Sequence, residues 1–575
     1  MSETQPVRPK GRRRLVAACT AGILSLGAFA LGTGAQAAEP GSHKTTKRPT
    51  AAAAHMPHIT APKTVRKSKL AAGAAAQAPA PVRYDIDGDG AADQLYRGLD
   101  RNWYNSLATE DVKLGTGPSD IGLVDAVTPG DIDGAPGPDV LGLTASGKLE
   151  LFSSTNFPNY AGWTSTGWNV YNKIVAVDDL TGDGRADIVA RTYDGHLYLF
   201  AGTGNGNSPF KARTLIGGGW AAYDQLASPG DIDGDGISDL VTRDLIGNLY
   251  FYKATGNAAA PFAARKVLGG DWNTYNQVIG LGNNEEGTGF LWGRAFNGDL
   301  YGYEPNGTGN FQTRYRVGGG FNWSDVMAGM GGVPAWGKKE MIGVNSAGTL
   351  YDYIPDNKGL LYPRVAVSAT GGFAGVTSFA LANSLSDNGR AELLYVYGGA
   401  LYNSDREALI TTGWNAYSLT LGPGDLSGDG KGDLLARTTS GQLYLFRGTG
   451  NGVNYAGRQL VSGGWNTYNA IVGAGDVSGD GRPDILARST DGSLYEFKGT
   501  GNAAAPFGPR INLGSGWGQY NKLASAGDTD GNGRADLLAV NTNSGTLYRY
   551  SAYGDGHFSA RVQVGGGWNT YTKLF

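Results

Sequence analysis

The sequence predicts an all-β chain, a β-propeller of about ten four-stranded blades, and three features carry that prediction. From Tyr84 onward the chain repeats itself about every 50 residues. Glycine accounts for 94 of 575 residues and Tyr and Trp are plentiful, which suits short strands joined by tight turns. The full copies, such as those at Asp179, Asp425 and Asp528, carry the same three marks in the same order: an acidic Asp-Gly loop, a Leu-Tyr pair and a Gly-Gly-Trp element. At 575 residues the chain far exceeds the roughly 100 to 200 residues of one core, so an array of stacked units is the economical arrangement.

Residues 1–37 read as a signal peptide. Arg8, Lys10, Arg12, Arg13 and Arg14 precede an apolar run from Leu15 to about Gly34, and Ala35-Gln36-Ala37 is a small-residue cleavage site. Arg12-Arg13 is compatible with Tat as well as Sec export. The only cysteine, Cys19, falls too early in the apolar run for a lipoprotein box, so the mature chain has no thiol and no disulfide. Residues 38–80 are Ala-, Pro- and Lys-rich, with seven basic residues against Glu39 alone, and are expected to form a disordered linker reaching about 35 Å. No second apolar stretch is long enough to span a bilayer. The expected location is extracellular or associated with the cell wall.

Residues 81–575 hold the repeats. Clear copies begin at Asp85, Asp131, Asp179, Asp231, Asp425, Asp476 and Asp528, and worn ones lie near Leu281, Gly331 and Ser384. In the Asp425 copy, strands are expected at 434–438 and 442–446, then one ending at Gly-Gly-Trp and one leading to the next acidic loop. Gly441 and 448–451 supply the turns. Four strands make one blade, which cannot bury both faces unless blades stack around an axis. Two five-bladed rings are preferred over one larger ring. The C-terminal run Tyr571 to Phe575 matches the strand that precedes an acidic loop, and it is expected to complete the blade that starts near Asp85.

In Asp85-Ile86-Asp87-Gly88-Asp89-Gly90-Ala91-Ala92-Asp93 the carboxylates occupy positions 1, 3, 5 and 9. Alternating side chains on a tightly turning loop can aim several hard oxygens at one calcium ion, and the carbonyl of Ala91 is a natural extra ligand. The pattern returns in five full copies: Asp179, Thr181, Asp183, Asp187; Asp231, Asp233, Asp235, Asp239; Asp425, Ser427, Asp429, Asp433; Asp476, Ser478, Asp480, Asp484; and Asp528, Asp530, Asn532, Asp536. A further copy keeps Asp131, Asp133 and Asp139 but has Ala135 at position 5, and Ser384, Ser386, Asn388, Glu392 has lost most of the pattern. An EF-hand would need Glu at position 12, where Tyr96 and Thr242 stand. Residues 81–575 hold 36 of the 48 basic and 49 of the 51 acidic residues, a net charge of −13 that about seven Ca²⁺ ions would nearly cancel.

These loops resemble the FG-GAP or VCBS repeats of integrin α-subunit propellers and of many bacterial secreted proteins. The resemblance covers residues 84–575 and implies a propeller whose acidic loops bind six to seven structural calcium ions, without implying one activity.

A second element is Gly-Gly-Trp followed by Tyr three places later, at Trp168, Trp220, Trp272, Trp414, Trp465, Trp517 and Trp568, with Phe321 and Phe373 as stand-ins. It looks like the Gly-x-Gly-Trp-x-x-aromatic element of the tachylectin family, which binds N-acetylated sugars between blades. The indoles can pack blade against blade, stack on sugar rings, or do both. Arg191, Arg243, Arg294, Arg437 and Arg488 recur after the acidic loops, as blade-spanning salt bridges or as contacts for acidic sugars.

Catalysis needs a constellation, and none is visible. His43, His55, His58, His196 and His557 have no metal-ligand spacing, and there is no nucleophile elbow or P-loop. An acidic propeller also argues against nucleic acid. The expectation is a secreted, non-enzymatic calcium-binding module for a glycan or cell-surface polymer, lectin-like in action. The alternative is a protein-binding scaffold or adhesin in which calcium is purely structural.

Overall fold

The computed structural model describes residues 58–59, 83–86, 93–98, 102–106, 111–115 and 123–575, apart from 145, 245, 284–286, 288, 330–338, 384, 386–390 and 555. The signal peptide and nearly all of the linker therefore lie outside the described residues. His58–Ile59 departs from an unstructured spacer: it pairs with Gly318 and Gly319 as an added edge strand.

The described residues form ten antiparallel sheets, nine of four strands and one widened to five by His58–Ile59. The helical pieces are three-residue 3₁₀ turns. Numbered in chain order by their second strand, the blades are led by Gln94–Gly98, Asp139–Thr144, Ile188–Thr192, Asp239–Asp244, Gly289–Ala295, Met341–Asn345, Ala391–Tyr397, Asp433–Thr438, Asp484–Ser489 and Leu537–Asn541. Blade 4 is representative: Tyr223–Gly230, Asp239–Asp244, Leu249–Tyr252 and Lys266–Gly269 pair in that order. The acidic loop joins strands one and two. The Gly-Gly-Trp element sits at the other end of strand one, so in blades 3, 4, 8, 9 and 10, which carry both, the loop and the tryptophan occupy opposite ends.

Alternation along the strands decides the packing, because successive side chains face opposite sides of a sheet. In blade 3, Ile188 and Ala190 join a core with blade 2, while Val189 joins one with blade 4. Leu443 of blade 8 is fully buried in the core shared with blade 9, where truncation to Ala costs about 2–5 kcal/mol. Shared cores link blade 1 to 2, 2 to 3, 3 to 4, 4 to 5, and 5 back to 1. A second series links 6 to 7, 7 to 8, 8 to 9, 9 to 10, and 10 back to 6.

The pairing corrects one expectation. Tyr571–Leu574 does not complete the blade near Asp85; it pairs with Met341–Asn345, matching Gly343 to Leu574 and Val344 to Lys573. The inner strand of blade 1 is instead Ser324–Met327, which matches Tyr96 to Met327. Each series of five is thus closed by a strand from its own C-terminal end. At the centre of the first series lies Arg83, 1% exposed. Its guanidinium donates to the carbonyls of Ala176 in blade 3 and Ser228 in blade 4, both at 2.6 Å, and pairs with Asp178 at 3.3 Å. Gly282 of blade 5 makes room for it, since a Cβ there would lie 2.3 Å from Arg83 Nε.

Candidate metal centres and blade clefts

Each acidic loop is shaped by its own carboxylates. In the Asp425 loop the position-1 carboxylate accepts the N–H groups of Gly428 and Gly430, both at 2.7 Å. Those glycines have φ of 75° and 83°, a left-handed turn that other residues enter at a cost. The position-9 carboxylate faces inward: Asp433 accepts N–H bonds from Ser427 at 2.8 Å and from Gly448, where the third strand ends, at 3.0 Å. Asp139, Asp187, Asp239, Asp484 and Asp536 take the same buried place.

Burying these carboxylates disfavours their charge. Desolvation, reinforced by the neighbouring aspartates, raises Asp139 and Asp187 to about 6 and Asp239 and Asp433 to about 8. Asp484 and Asp536 are raised well above the ordinary carboxylate range for the same reasons. Position 1 follows, with Asp425 and Asp528 at about 6 and Asp476 at about 7, again with burial foremost.

Among the described residues, four clusters bring three carboxylates within 4.8 Å of one another: Asp131, Asp133, Asp139; Asp231, Asp233, Asp239; Asp425, Asp429, Asp433; and Asp528, Asp530, Asp536. The Asp131 copy gathers its acids despite Ala135. In the Asp179 copy, Asp183 turns toward Lys211 at 2.8 Å, while Thr181 stays beside Asp179. Lys253 bridges Asp233 and Asp235, and Arg549 holds Asp530 at 2.8 Å. Ser427 and Ser478 keep their hydroxyls next to Asp425 and Asp476, and Asn532 donates its backbone N–H to Asp528. Asp480 is half-buried, and it adds to burial in pushing the carboxyl of Asp476 upward. Of the first copy, Asp85 and Asp93 are described, with Asp93 accepting from Ile86 at 3.1 Å and Asn105 at 2.9 Å; Asp87, Asp89 and Ala91 lie outside the described residues, as do Ser384, Ser386 and Asn388.

Two buried oxygens, Asp233 Oδ1 and Asp536 Oδ1, have no hydrogen-bond donor. A buried carboxylate oxygen without a donor is costly unless a cation takes that place. With all ligands hard oxygens, the loops fit a divalent ion of calcium's preferences.

The tryptophans work at the opposite end. Before each, a left-handed residue starts the 3₁₀ turn, as Gly219 does at φ 86°. The backbone N–H of the Trp then donates to the carbonyl of the hairpin glycine of the preceding blade: Trp220 to Gly195 at 3.0 Å, Trp465 to Gly441 at 2.9 Å. Each indole lies on an aromatic ring of the third strand of the blade it opens. The partners are Phe200 for Trp168, Tyr252 for Trp220, Tyr303 for Trp272, Phe446 for Trp414, Phe497 for Trp465, Tyr550 for Trp517 and Tyr353 for Trp568, with centroids 4.6–5.1 Å apart. Six of the seven are buried and Trp272 is half-buried. The indole faces are thus used in packing, and Trp220 forms one wall of a 540 Å³ cleft. That cleft lies between blades 3 and 4 and is lined by Gly217, Gly218, Gly219, Tyr252, Pro261 and Arg265, among others.

The recurrent arginines are clamps between blades, and their partners are mainly backbone carbonyls, not the acids of a salt bridge. Arg191 donates to the carbonyls of Trp220 at 3.1 Å and Tyr223 at 2.6 Å. Arg437 reaches Trp465 at 3.0 Å and Tyr468 at 2.8 Å. Arg243, Arg294 and Arg488 do the same in their blades, and Arg243 adds an ion pair, to Asp224 at 2.7 Å. A second series escaped the sequence reading. Arg213, Arg265, Arg314, Arg364, Arg458, Arg510 and Arg561 each lie 4.3–4.6 Å over the Tyr of a Leu-Tyr pair. Its signal was an arginine 13 to 15 residues after the Tyr of that pair.

The FG-GAP-like repeat model matches residues 179–242, 425–487 and 476–539, each match opening on the first Asp of an acidic loop. No curated protein matches the chain. Among solved structures, similarity extends to an Agrocybe aegerita lectin described as recognising non-reducing terminal N-acetylglucosamine. It is 16% identical with a TM-score of 0.22, covering 77% of this chain and 94% of the lectin. The BBS1N part of a complex with ARL6DN is 12% identical (TM-score 0.21; 56% and 92% covered), and Saccharomyces cerevisiae Sqt1 is 11% identical (TM-score 0.17; 69% and 86% covered). The chain carries FG-GAP-like repeats within a set of ten propeller-type sheets.

Proposed function

We propose that the chain is a secreted, calcium-loaded pair of five-bladed propellers that binds and does not catalyse, with carbohydrate as the ligand class. The observation that carries the binding reading is the cleft between blades 3 and 4. It combines exposed backbone at Gly217–Gly219, aromatic walls from Trp220 and Tyr252, and the Arg265 guanidinium, the mixture of apolar surface and a few polar groups that sugar recognition uses. The same Gly-Gly-Trp and Arg-over-Tyr parts recur from blade to blade, which favours a repetitive polymer. Calcium in the acidic loops is structural in this reading: it neutralises carboxylates whose burial otherwise opposes their charge.

A glycan array run with calcium and with EDTA tests this. Binding to N-acetylglucosamine polymers that EDTA abolishes is the expected outcome. Silence on every glycan, with calcium bound, would move the assignment to a protein-binding scaffold or adhesin.

A further inference from the structure

The second half of the chain, blades 6–10, meets the first half through its acidic loops. Asn169 and Asn172, where blade 3 begins, donate to the carbonyls of Gly428 at 2.8 Å and Asp480 at 3.0 Å. Asn276 of blade 5 donates to the carbonyl of Asp530 at 3.4 Å. Arg482 lies 4.2 Å over the Tyr193 ring, and Arg534 approaches Asp224 of blade 4 at 3.5 Å. Space is so tight that a Cβ on Gly430 would lie 2.5 Å from the Ser146 carbonyl. The acidic end of one half is therefore seated on the tryptophan end of the other. The loops starting at Asp131, Asp179 and Asp231 point away and have exposed tips.

Resting on the calcium reading above, we propose that the loops beginning at Asp425, Asp476 and Asp528 are an ion-dependent docking rim, so that cation binding there and seating of the two halves form one linked equilibrium. The carbonyls offered to Asn169, Asn172 and Asn276 belong to residues between the carboxylates of positions 1 and 9. Fixing those carboxylates on one ion fixes the direction of the carbonyls. The Asp528 loop makes the case most directly, because the orphaned Asp536 Oδ1 sits fully buried in the same loop that presents Asp530 to Asn276. Anything that binds only the seated form is in turn bound more tightly by it.

The test is the full mature chain carrying Asn172→Asp and Asn276→Asp. These substitutions keep an acceptor for the Arg191 and Arg294 side chains and replace each amide donor by a carboxylate whose charge the adjacent arginine meets, as Arg243 meets Asp224 in blade 4. Calcium titration by calorimetry after chelation is paired with small-angle scattering. Wild type should show two classes of site. The variant should lose about tenfold in affinity at three sites only, with a larger radius of gyration. Arg482→Gln, which spares every amide and carboxylate, should shift the same three sites in the same direction. Wild-type affinities and an unchanged radius in both variants would overturn the docking rim while leaving calcium binding intact. No calcium uptake by wild type would remove the calcium reading and this inference with it.

Discussion

Replacing Arg83 by Met keeps the stem of the side chain and deletes the guanidinium at the centre of blades 1–5. The loss includes two charge-assisted hydrogen bonds of 2.6 Å, to Ala176 and Ser228, and the pairing with Asp178. Such bonds are worth about 1.5–3 kcal/mol each, offset by the cost of desolvating a buried cation. Removing one partner of a buried pair has a net cost of about 3–5 kcal/mol, because the other charge is left behind. Asp178 keeps one donor, Ser238 Oγ at 2.5 Å, which places the expectation near the lower end. Hydrogen exchange read by mass spectrometry reports each half separately, and peptides from blades 1–5 should lose about 3 kcal/mol of protection while those from blades 6–10 keep theirs. The double variant Arg83→Met, Asp178→Asn should recover part of the loss, since no unpaired charge remains. A loss below about 1 kcal/mol, or an equal loss in both halves, would refute the role given to Arg83.

Chelation of the purified chain should lower its melting temperature and Ca²⁺ should restore it; an EDTA-indifferent melt would remove the structural role of the loops. In the metal-free chain the inward aspartates have folded values near 6 to 8 against an unfolded value of about 3.9, so the folded state binds protons more tightly. Stability should then fall as pH rises from about 4 through 8, the reverse of the calcium-loaded chain, where acid displaces the ion; melting curves in EDTA across that range check the sign. Arg191→Met strips donors from the carbonyls of Trp220 and Tyr223 and should cost about 2–4 kcal/mol in urea unfolding. Deleting residues 570–575 removes the strand paired with Met341–Asn345 and should unfold blades 6–10, with exchange protection in blades 1–5 unchanged.

Much of this was legible because it is local. Nine-residue Asp spacing, Leu-Tyr pairs and Gly-Gly-Trp elements report loop, strand and turn within single blades, and all ten blades follow from them. Closure was not legible, because any inner strand fits any blade: Ser324–Met327 and Tyr571–Leu574 fill the same role, and only pairing shows which blade each completes. Arg83 occurs once, so a search for periodicity passes over it. The Arg191 series was visible as a pattern, yet its partners are carbonyls, which every residue has and no sequence marks. The indoles were ambiguous for a related reason, since periodicity places Trp220 on an end of the blade without saying that Tyr252 covers its face.

Strand supply also sets an order of assembly. Blades 1–5 need nothing beyond Met327 to complete their sheets, so a chain emerging from its N-terminus can finish the first half while the remainder is still being synthesised. Blades 6–10 must wait for the last residues, because their first sheet lacks an edge partner until Tyr571–Leu574 arrives. That leaves Met341–Asn345 as the segment most in need of protection from misplaced pairing during synthesis, with a finished first half already present as the surface on which the second can settle.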